Sequence, residues 1–330
     1  MSPPVVACVG EALVDFLPRE SGRPVRDVET WRRCPGGAPS NVAIGLARLG
    51  VPSALVGVTG DDEFGHFLTK ALTDEGVDVT HLRRTSEGKT GLAFVSIAEN
   101  GERSFSFHRT RSAELFFNGG DADLPYLLGA RAVHLGTNSL IWKPAQKAAE
   151  LMVQAAQKAG KLVTCDPNLR LHIWPDPEDL RALLAHLLPS VGVVKLSEDE
   201  IRFVTGTGDV EEALLALRKL GVALPVITRA AQGAVFLWQG KVVRVPGVAA
   251  KLVDSTGAGD GFMAGLLFGL TRLFPDAEGL GRAGVGELRE IVTFANAVAA
   301  RVVERLGAVA GLPKLAEVES ALPGVLQPVH

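Results

Sequence analysis

Residues 254–262 read Asp-Ser-Thr-Gly-Ala-Gly-Asp-Gly-Phe and lead into an apolar segment that ends at Leu273. Phe262, Leu266 and Leu273 recur at helical spacing, which predicts a loop that becomes a helix near Gly257. Glycines let the backbone approach a ligand, and the free N–H groups of a first helical turn bind anions. A carboxylate beside an anion site suits phosphoryl transfer, because amides then stabilise the phosphoryl oxygens while the carboxylate accepts the hydroxyl proton.

Asp260 is therefore the candidate base. The helix N-terminus is expected to favour its ionised form. We accordingly expect a weak base that takes the proton late, after bonding to phosphorus has made the hydroxyl more acidic. A capping aspartate with glycines that permit tight packing is the alternative explanation of these residues.

The full string, Asp-x-Thr-Gly-Ala-Gly-Asp-x-Phe, resembles the second signature of the ribokinase-like carbohydrate kinases of the phosphofructokinase-B type. The resemblance implies that Asp260 is the catalytic base. It implies an anion hole formed by the three preceding residues, Gly257, Ala258 and Gly259. It also implies a monovalent cation site, which would take K⁺, beside Asp254 and Thr256.

A second glycine-rich string covers residues 34–43, where a Gly-Gly turn precedes a predicted helix with Asn41 in its first turn. Turn chemistry alone is one explanation. The form Gly-Gly-Ala-Pro-x-Asn-Val-Ala nevertheless resembles the family's first signature, in its fructokinase branch. Asp15 follows a predicted buried strand, Val5 to Val9, where a turn-forming aspartate is the alternative. By the resemblance, the sugar hydroxyls are held by Asp15, Gly36, Gly37 and Asn41.

Two alternating segments, residues 92–97 and 103–108, flank Asn100-Gly101 and predict a β-hairpin. This hairpin resembles the family's lid over the sugar. We expect one kinase domain over residues 1–330, with lid segments inserted at about 14–34 and 89–111. Arg109 matches a substrate-side arginine of the fructokinase and ketodeoxygluconate kinase branches, although a solvated arginine is the alternative. The resemblance further implies a possible homodimer through the lid.

Strands and helices alternate from Ala132 onward, which is typical of a parallel sheet covered by helices. We therefore predict an α/β, ribokinase-like, doubly wound and mostly parallel sheet, flanked by helices and carrying a small β-sheet lid. One strand leads into Asp166-Pro167-Asn168-Leu169-Arg170. Turn-forming residues alone are the alternative explanation of Asp-Pro-Asn. The resemblance places this segment near the transferred phosphoryl group, with Asp166 and Arg170 on the substrate and Asn168 on the nucleotide.

The nucleotide side carries two departures from the family pattern. Ser197 and Glu200 read as a capping box, but the family has Asn-x-x-Glu here and uses the glutamate to organise Mg²⁺ and its waters. The resemblance therefore assigns Glu200 to Mg²⁺, whereas Ser197 replaces the asparagine. In the following loop Ala230 replaces the family's first glycine.

Three further positions match the family's nucleotide site. One lies near the end of the predicted strand Pro225 to Arg229, one lies in the following loop that contains Ala230, and the third lies on a predicted helix that resembles the family's adenine-side wall. They are Thr228, Gly233 and Asn296.

Composition excludes several other classes of protein. A formal net charge of −3 over 330 residues lacks the excess of basic residues that is typical of proteins that bind nucleic acid. Three cysteines without CxxC spacing indicate neither a disulfide framework nor a zinc site, and they fit a reducing cytoplasm. The first residues lack a basic segment, and every apolar run ends well before ~18 residues, so we expect neither a signal peptide nor a membrane span.

We therefore predict an ATP-dependent, Mg²⁺-requiring sugar kinase that phosphorylates a primary hydroxyl, most simply that of fructose. No Walker P-loop lysine is present, and the dinucleotide fingerprint that a nicotinamide-dependent dehydrogenase requires is also missing. The main alternative is a 2-keto-3-deoxygluconate kinase, in which Arg109 or Arg111 would bind the substrate carboxylate. Ribokinase and nucleoside kinase are less favoured, and a non-catalytic sugar-binding protein on the same fold is an alternative from another class.

Overall fold

The computed structural model describes residues 4–20, 22–97, 103–120, 123–322 and 324. The predicted Asn100-Gly101 turn lies outside these residues. The strands in the described part of the chain are β1 (Val6–Val9), β2 (Leu13–Pro18), β3 (Trp31–Gly36), β4 (Ser53–Gly60), β5 (Leu82–Thr85), β6 (Leu92–Ile97), β7 (Arg103–His108), β8 (Ala132–Leu135), β9 (Leu162–Cys165), β10 (Val193–Ser197), β11 (Leu224–Thr228), β12 (Ala234–Trp238) and β13 (Lys241–Val245).

The helices in the same residues are α1 (Ala38–Arg48), α2 (Glu63–Asp74), α3 (Asp123–Gly129), α4 (Lys143–Lys158), α5 (Pro177–Leu187), α6 (Ile201–Thr205), α7 (Val210–Lys219), α8 (Ala258–Leu273), α9 (Ala277–Gly281), α10 (Val285–Val302), α11 (Ala308–Gly311) and α12 (Leu315–Glu319). Short 3₁₀ turns cover Val25–Asp27, Ala113–Phe116, Leu171–Ile173, Leu188–Ser190 and Ala230–Gln232. The helix predicted to begin near Gly257 begins at Ala258.

The large sheet has the strand order β13-β12-β11-β10-β9-β8-β1-β4-β5. All strands from β11 to β5 run parallel, whereas β12 and β13 are antiparallel additions at one edge. The chain moves outward from β1 in one direction through β4 and returns on the other side through β8. Such a reversal opens a crevice at the carboxyl ends of the strands, where ligands bind in open α/β sheets. The predicted doubly wound, mostly parallel architecture is confirmed.

Helices cover both faces of this sheet, so its central strands are apolar on both sides. In β1, Val6 and Cys8 pack into one buried cluster, and Ala7 and Val9 pack into the other. This arrangement explains why β1 is a continuous apolar run without alternation. The carboxyl end of β1 is thereby fixed at the centre of the crevice.

Helix α8 is held against α10 along a row of small residues. A Cβ added at Gly261, Gly265 or Gly269 would lie 2.6–2.8 Å from atoms of α10. The three glycines recur every fourth residue and therefore share one face of α8. Their missing side chains let the two helices approach closely, so the first turn of α8 is anchored from behind.

The small sheet has the order β3-β2-β6-β7, with β2 and β3 antiparallel, β6 and β7 antiparallel, and β2 parallel to β6. An aromatic cluster holds it together: Phe94 stacks on Phe16 at 4.8 Å and meets Trp31 edge-on at 5.2 Å, measured between ring centroids. The two predicted alternating runs do pair with each other. Among the described residues, no helix combines the length and apolar character that crossing a membrane requires.

Candidate active site

A cleft of about 810 Å³ opens at the carboxyl ends of the central strands, beside the small sheet. Most of the site residues predicted from the sequence lie in its wall, although they come from widely separated parts of the chain. Those lining the cleft are Asp15, Gly37, Asn41, Arg109, Asp166, Asn168, Arg170, Glu200, Thr228, Thr256, Gly257, Gly259 and Asp260.

Asp260 lies in the first turn of α8, where Gly257 is the N-cap residue with φ 80°. Its Oδ2 accepts a hydrogen bond of 2.8 Å from Nδ2 of Asn41, which lies in the first turns of α1. Asp260 and Asn41 belong to the two glycine-rich strings, so the fold joins both strings at one carboxylate. Among the described residues, no donor reaches Asp260 Oδ1.

The predicted anion hole has fewer free N–H groups than the three that the resemblance implies. The N–H of Ala258 donates to the carbonyl of Ser255 at 3.2 Å and is therefore already occupied. Within the described residues, the N–H groups of Gly257 and Gly259 have no acceptor. These two glycines leave free donors beside the carboxyl of Asp260, as an anion site requires.

Burial dominates the charge state of Asp260. Its side chain is 7% exposed, and burial raises its pKa from 3.8 to about 7. The hydrogen bond from Asn41 and the cations Lys195 and Arg170 lower the pKa by less, while Asp166 raises it further. The raised pKa runs opposite to the expectation that the helix N-terminus favours the ionised form, because burial is the largest effect on this carboxyl.

Asp15 lies on β2 and brings a second carboxyl into the cleft. Burial, with the nearby charge of Asp260, raises the pKa of Asp15 to about 7, and Arg170 opposes this shift. A Cβ at Gly36 would lie 2.3 Å from Asp15 Oδ2, so glycine leaves the room that this carboxyl occupies. Burial thus raises the pKa of both Asp15 and Asp260 to about 7.

Lys195 was not predicted as a site residue, yet it lines the cleft from β10. Its side chain is buried, and Nζ donates to Oδ2 of Asp166 at 2.9 Å. The pair therefore places one fixed cation among several carboxylates. A charged residue within the apolar run Val193–Leu196 was the sequence signal that could have identified it.

Arg109 lines the cleft, but part of its guanidinium is already bound to protein groups. Its Nε donates to Glu114 at 2.7 Å, and Nη2 donates to the carbonyl of Asn138 at 2.9 Å. Ser112 donates to the same Glu114 oxygen at 2.6 Å, and a Cβ at Gly91 would lie 2.7 Å from that oxygen. Glu114 thus anchors the segment that follows β7 and lies against Gly91, which precedes β6.

Glu200 accepts hydrogen bonds from three donors. The one from the N–H of Ser197 is that of a capping box, whereas the Ser197 hydroxyl donates to the Glu200 carboxylate instead of accepting from its backbone N–H. Its Oε1 accepts from the N–H of Leu169 at 2.6 Å, while Oε2 accepts from the N–H and the hydroxyl of Ser197 at 2.7 and 2.8 Å. Asn168, beside Leu169, has φ 47°. Glu200 therefore fixes the turn that follows β9 in position over the cleft.

The loop after β11 contains the alanine that departs from the family pattern. Ala230 adopts φ 47°, a left-handed conformation that glycine accepts without strain. Gly233 has φ 90°, and a Cβ there would lie 2.2 Å from the carbonyl of Val245. Thr228 lines the cleft, and its hydroxyl donates to the carbonyl of Leu196 at 3.3 Å. Gly233 itself does not line the cleft and acts on the shape of the loop.

Two predicted residues contact backbone groups near the cleft. Asn296 is buried, and its amide donates to the carbonyl of Pro246 at 3.0 Å, so the structure does not bring it into the cleft wall. Asp254 accepts from the N–H groups of Thr256 and Gly307 at 2.7 and 2.5 Å. The carboxylate thereby ties the loop before α8 to the turn before α11.

Three buried oxygens in the cleft residues have no hydrogen-bond partner among the described protein groups. They are Glu11 Oε2, Asn41 Oδ1 and Asn138 Oδ1. Glu11 and Asn138 follow β1 and β8, the two strands at the reversal of the sheet, and neither was predicted as a site residue. Since buried polar atoms are normally paired, these three oxygens require a water or a ligand as partner.

Comparison with known proteins agrees with this geometry. A family model described as pfkB family carbohydrate kinase matches residues 4–315. The fructokinase of Escherichia coli is 38% identical over 315 residues, which cover 94% of this chain and 97% of that protein.

Two solved structures of fructokinases are also similar. That of Xylella fastidiosa with bound ATP has a TM-score of 0.86 at 34% identity, covering 96% of this chain and 97% of that one. That of Vibrio cholerae O395, with fructose, ADP and calcium bound, has a TM-score of 0.82 at 32% identity, covering 97% of this chain and 99% of that one.

Proposed function

This chain belongs to the pfkB family of carbohydrate kinases, and on that premise we propose that the acceptor of its phosphoryl group is fructose. The protein is an ATP-dependent sugar kinase, a phosphotransferase with a hydroxyl acceptor. The observation that carries the proposal is the first turn of α8, which places Asp260, a buried carboxyl with a pKa of about 7, beside the free N–H groups of Gly257 and Gly259.

In the proposed reaction Asp260 accepts the proton of a primary hydroxyl as the oxygen attacks the γ-phosphorus. The bond to the β-phosphate oxygen breaks, and ADP leaves with the electron pair. The N–H groups of Gly257 and Gly259 bind the phosphoryl oxygens during transfer. A base with a pKa near neutrality suits this step, because it is ionised at the working pH and still takes up a proton readily.

The unpaired oxygens support a polyhydroxyl acceptor. Glu11, Asn41 and Asn138 each present one buried acceptor atom, and Asp15 adds a carboxyl from the small sheet. Sugar hydroxyls donate to such atoms and remove the cost of leaving them unpaired. We propose that the small sheet closes over the bound sugar and excludes water, which would otherwise compete as acceptor.

The geometry gives less support to a sugar acid as acceptor. A carboxylate substrate would favour a free, bidentate arginine. The Nε of Arg109 already donates a hydrogen bond to Glu114. Arg111 is exposed, and its guanidinium lies 5.9 Å from the ring centroid of Trp142. Fructose therefore remains preferred to 2-keto-3-deoxygluconate.

The remaining cofactor, location and partner assignments are also proposals. Mg²⁺ usually keeps several waters, and Glu200, whose oxygens already accept from Leu169 and Ser197, would hold it through those waters. When bound, Mg²⁺ would neutralise phosphate charge. Asp254 and Thr256 would lie beside K⁺. We propose a cytoplasmic enzyme that dimerises through the small sheet.

One panel assay tests the choice of acceptor. ATP consumption is measured with fructose, 2-keto-3-deoxygluconate, ribose and adenosine at equal concentrations. We expect the highest kcat/KM with fructose. A higher value for any other member of the panel refutes the choice of fructose, and no consumption with any acceptor refutes the proposed function.

A further inference from the structure

The feature that the proposed reaction leaves unexplained is the buried ammonium of Lys195. Lysine is rarely buried without a specific partner, and this side chain is 6% exposed. Among the described residues, the one acceptor of its ammonium is Oδ2 of Asp166, 2.9 Å from Nζ. An ammonium carries three donors, so two N–H groups have no acceptor among the described residues.

The position of this ammonium relative to α8 is a second, independent observation. A Cβ built on Gly259 would lie 3.0 Å from Lys195 Nζ. The ammonium therefore lies against the first helical turn, where the N–H of Gly259 is also free. Glycine at position 259 leaves the space that the head of the lysine occupies.

The surroundings keep Lys195 charged. Burial lowers its pKa, but the carboxylates of Asp166, Glu200 and Asp260 outweigh burial and raise it. A positive charge, two unused donors and free backbone N–H groups thus meet at one point of the cleft. This combination suits an anion with several oxygens, such as a phosphoryl group.

We propose that Lys195 is a catalytic residue whose ammonium binds an oxygen of the phosphoryl group during its transfer. This inference rests on the proposed function. The phosphorus loses its bond to the β-phosphate oxygen and gains one to the sugar oxygen, whose proton goes to Asp260. Lys195 keeps its own proton throughout, and Asp166 holds its side chain in place.

The positive charge of Lys195 should stabilise the phosphoryl group more during transfer than before it. In a loose transition state, negative charge is spread over the three equatorial phosphoryl oxygens. A fixed cation in a water-excluded cleft stabilises that charge more strongly than it would in water. Since Lys195 is already oriented by Asp166, little reorganisation is needed.

Two variants separate this role from a structural one. Lys195→Met removes the charge and all donors, whereas Lys195→Gln keeps a donor that could serve Asp166. Lys143→Met is the matched control, because it removes an exposed lysine from a Lys–Asp pair of 3.0 Å outside the cleft. Thermal unfolding of each variant establishes that the protein folds.

The decisive measurement compares binding of ADP with binding of ADP, aluminium fluoride and Mg²⁺ in the presence of the sugar selected by the panel. The fluoride complex mimics the planar phosphoryl group in transfer. For both Lys195 variants we expect ADP affinity within about twofold of the wild type, while kcat and affinity for the fluoride complex fall by about 10²- to 10³-fold. Lys143→Met should match the wild type.

Other outcomes overturn the assignment. Equal losses for ADP and for the fluoride complex would make Lys195 a structural residue, and an unchanged kcat would remove it from the reaction. If Lys195→Met does not fold, Lys195→Gln supplies the same comparison. A wild type that consumes no ATP would refute the proposed function itself, whereas an active wild type with fully active variants would refute only the role of Lys195.

Discussion

Replacing Asp260 by asparagine should remove catalysis and at the same time stabilise the free protein at alkaline pH. The two effects share one cause, the carboxyl that burial keeps protonated up to a pKa of about 7. Loss of a general base typically costs about 10²- to 10⁴-fold in rate, and we expect kcat to fall within that range. For the wild type, kcat/KM should rise with pH through about 7 as Asp260 ionises.

The change in stability follows from linkage between protonation and folding. The pKa of Asp260 rises from 3.8 to about 7 on folding, so the native state binds more protons than the unfolded state between these values. Its stabilising contribution is therefore present at low pH and is lost as the pH rises through about 7. About three pKa units at roughly 1.36 kcal/mol each give a cost of about 4 kcal/mol above that pH.

Asp260→Asn removes this cost without removing much volume. At pH 8 we expect its free energy of unfolding to exceed that of the wild type by about 2–4 kcal/mol. At pH 4.5 the advantage should shrink by about 3 kcal/mol, since the native carboxyl is then neutral. Urea unfolding at the two pH values measures the difference.

Asp62→Asn is the control with the opposite sign. Asp62 is the N-cap of α2, where its carboxylate accepts backbone N–H groups, and these hydrogen bonds lower its pKa despite the opposing effect of burial. Its replacement should destabilise the protein at pH 8. If Asp260→Asn were no more stable than the wild type at pH 8, or if its advantage were the same at pH 4.5, the burial argument would fail.

Three further substitutions test other parts of the site. Glu114→Gln leaves the buried charge of Arg109 uncompensated, so it should lower the free energy of unfolding by about 3 kcal/mol and raise the KM for sugar; an unchanged urea midpoint would contradict the anchoring role. Ala230→Gly relieves a left-handed alanine and should stabilise the protein by roughly 0.5–1 kcal/mol, whereas a loss of stability would show that the loop is unstrained. Asn138→Ala should raise the KM for sugar about tenfold while ADP affinity, measured by calorimetry, stays constant; equal losses for both ligands would instead indicate a distorted cleft.

The sequence predicted the parts of the site that depend on backbone chemistry. Glycine-rich turns before helices identified Asn41 and Asp260, and the fold brings them to 2.8 Å although they lie 219 residues apart. The parallel sheet followed from the alternation of apolar strands and amphipathic helices. These features are local, so a single segment of sequence is sufficient to indicate each one.

The residues that were missed depend on packing between distant segments. Lys195, Glu11 and Asn138 are single polar residues after or within apolar strands, and nothing beside them in the sequence indicates what they face. The raised pKa of Asp260 likewise results from burial by several elements together. Asn296 was assigned to the nucleotide by its resemblance to the family's adenine-side wall, and its amide N–H donates to the carbonyl of Pro246.

The glycine row of α8 limits which parts of the site can be redesigned. Because α8 packs closely on α10, a side chain larger than glycine at Gly261, Gly265 or Gly269 would push the first turn of α8 out of place. The small sheet contributes Asp15 to the cleft from its own strand. Substitutions at the sugar end of the cleft could therefore redesign the choice of acceptor without moving the helix that carries Asp260.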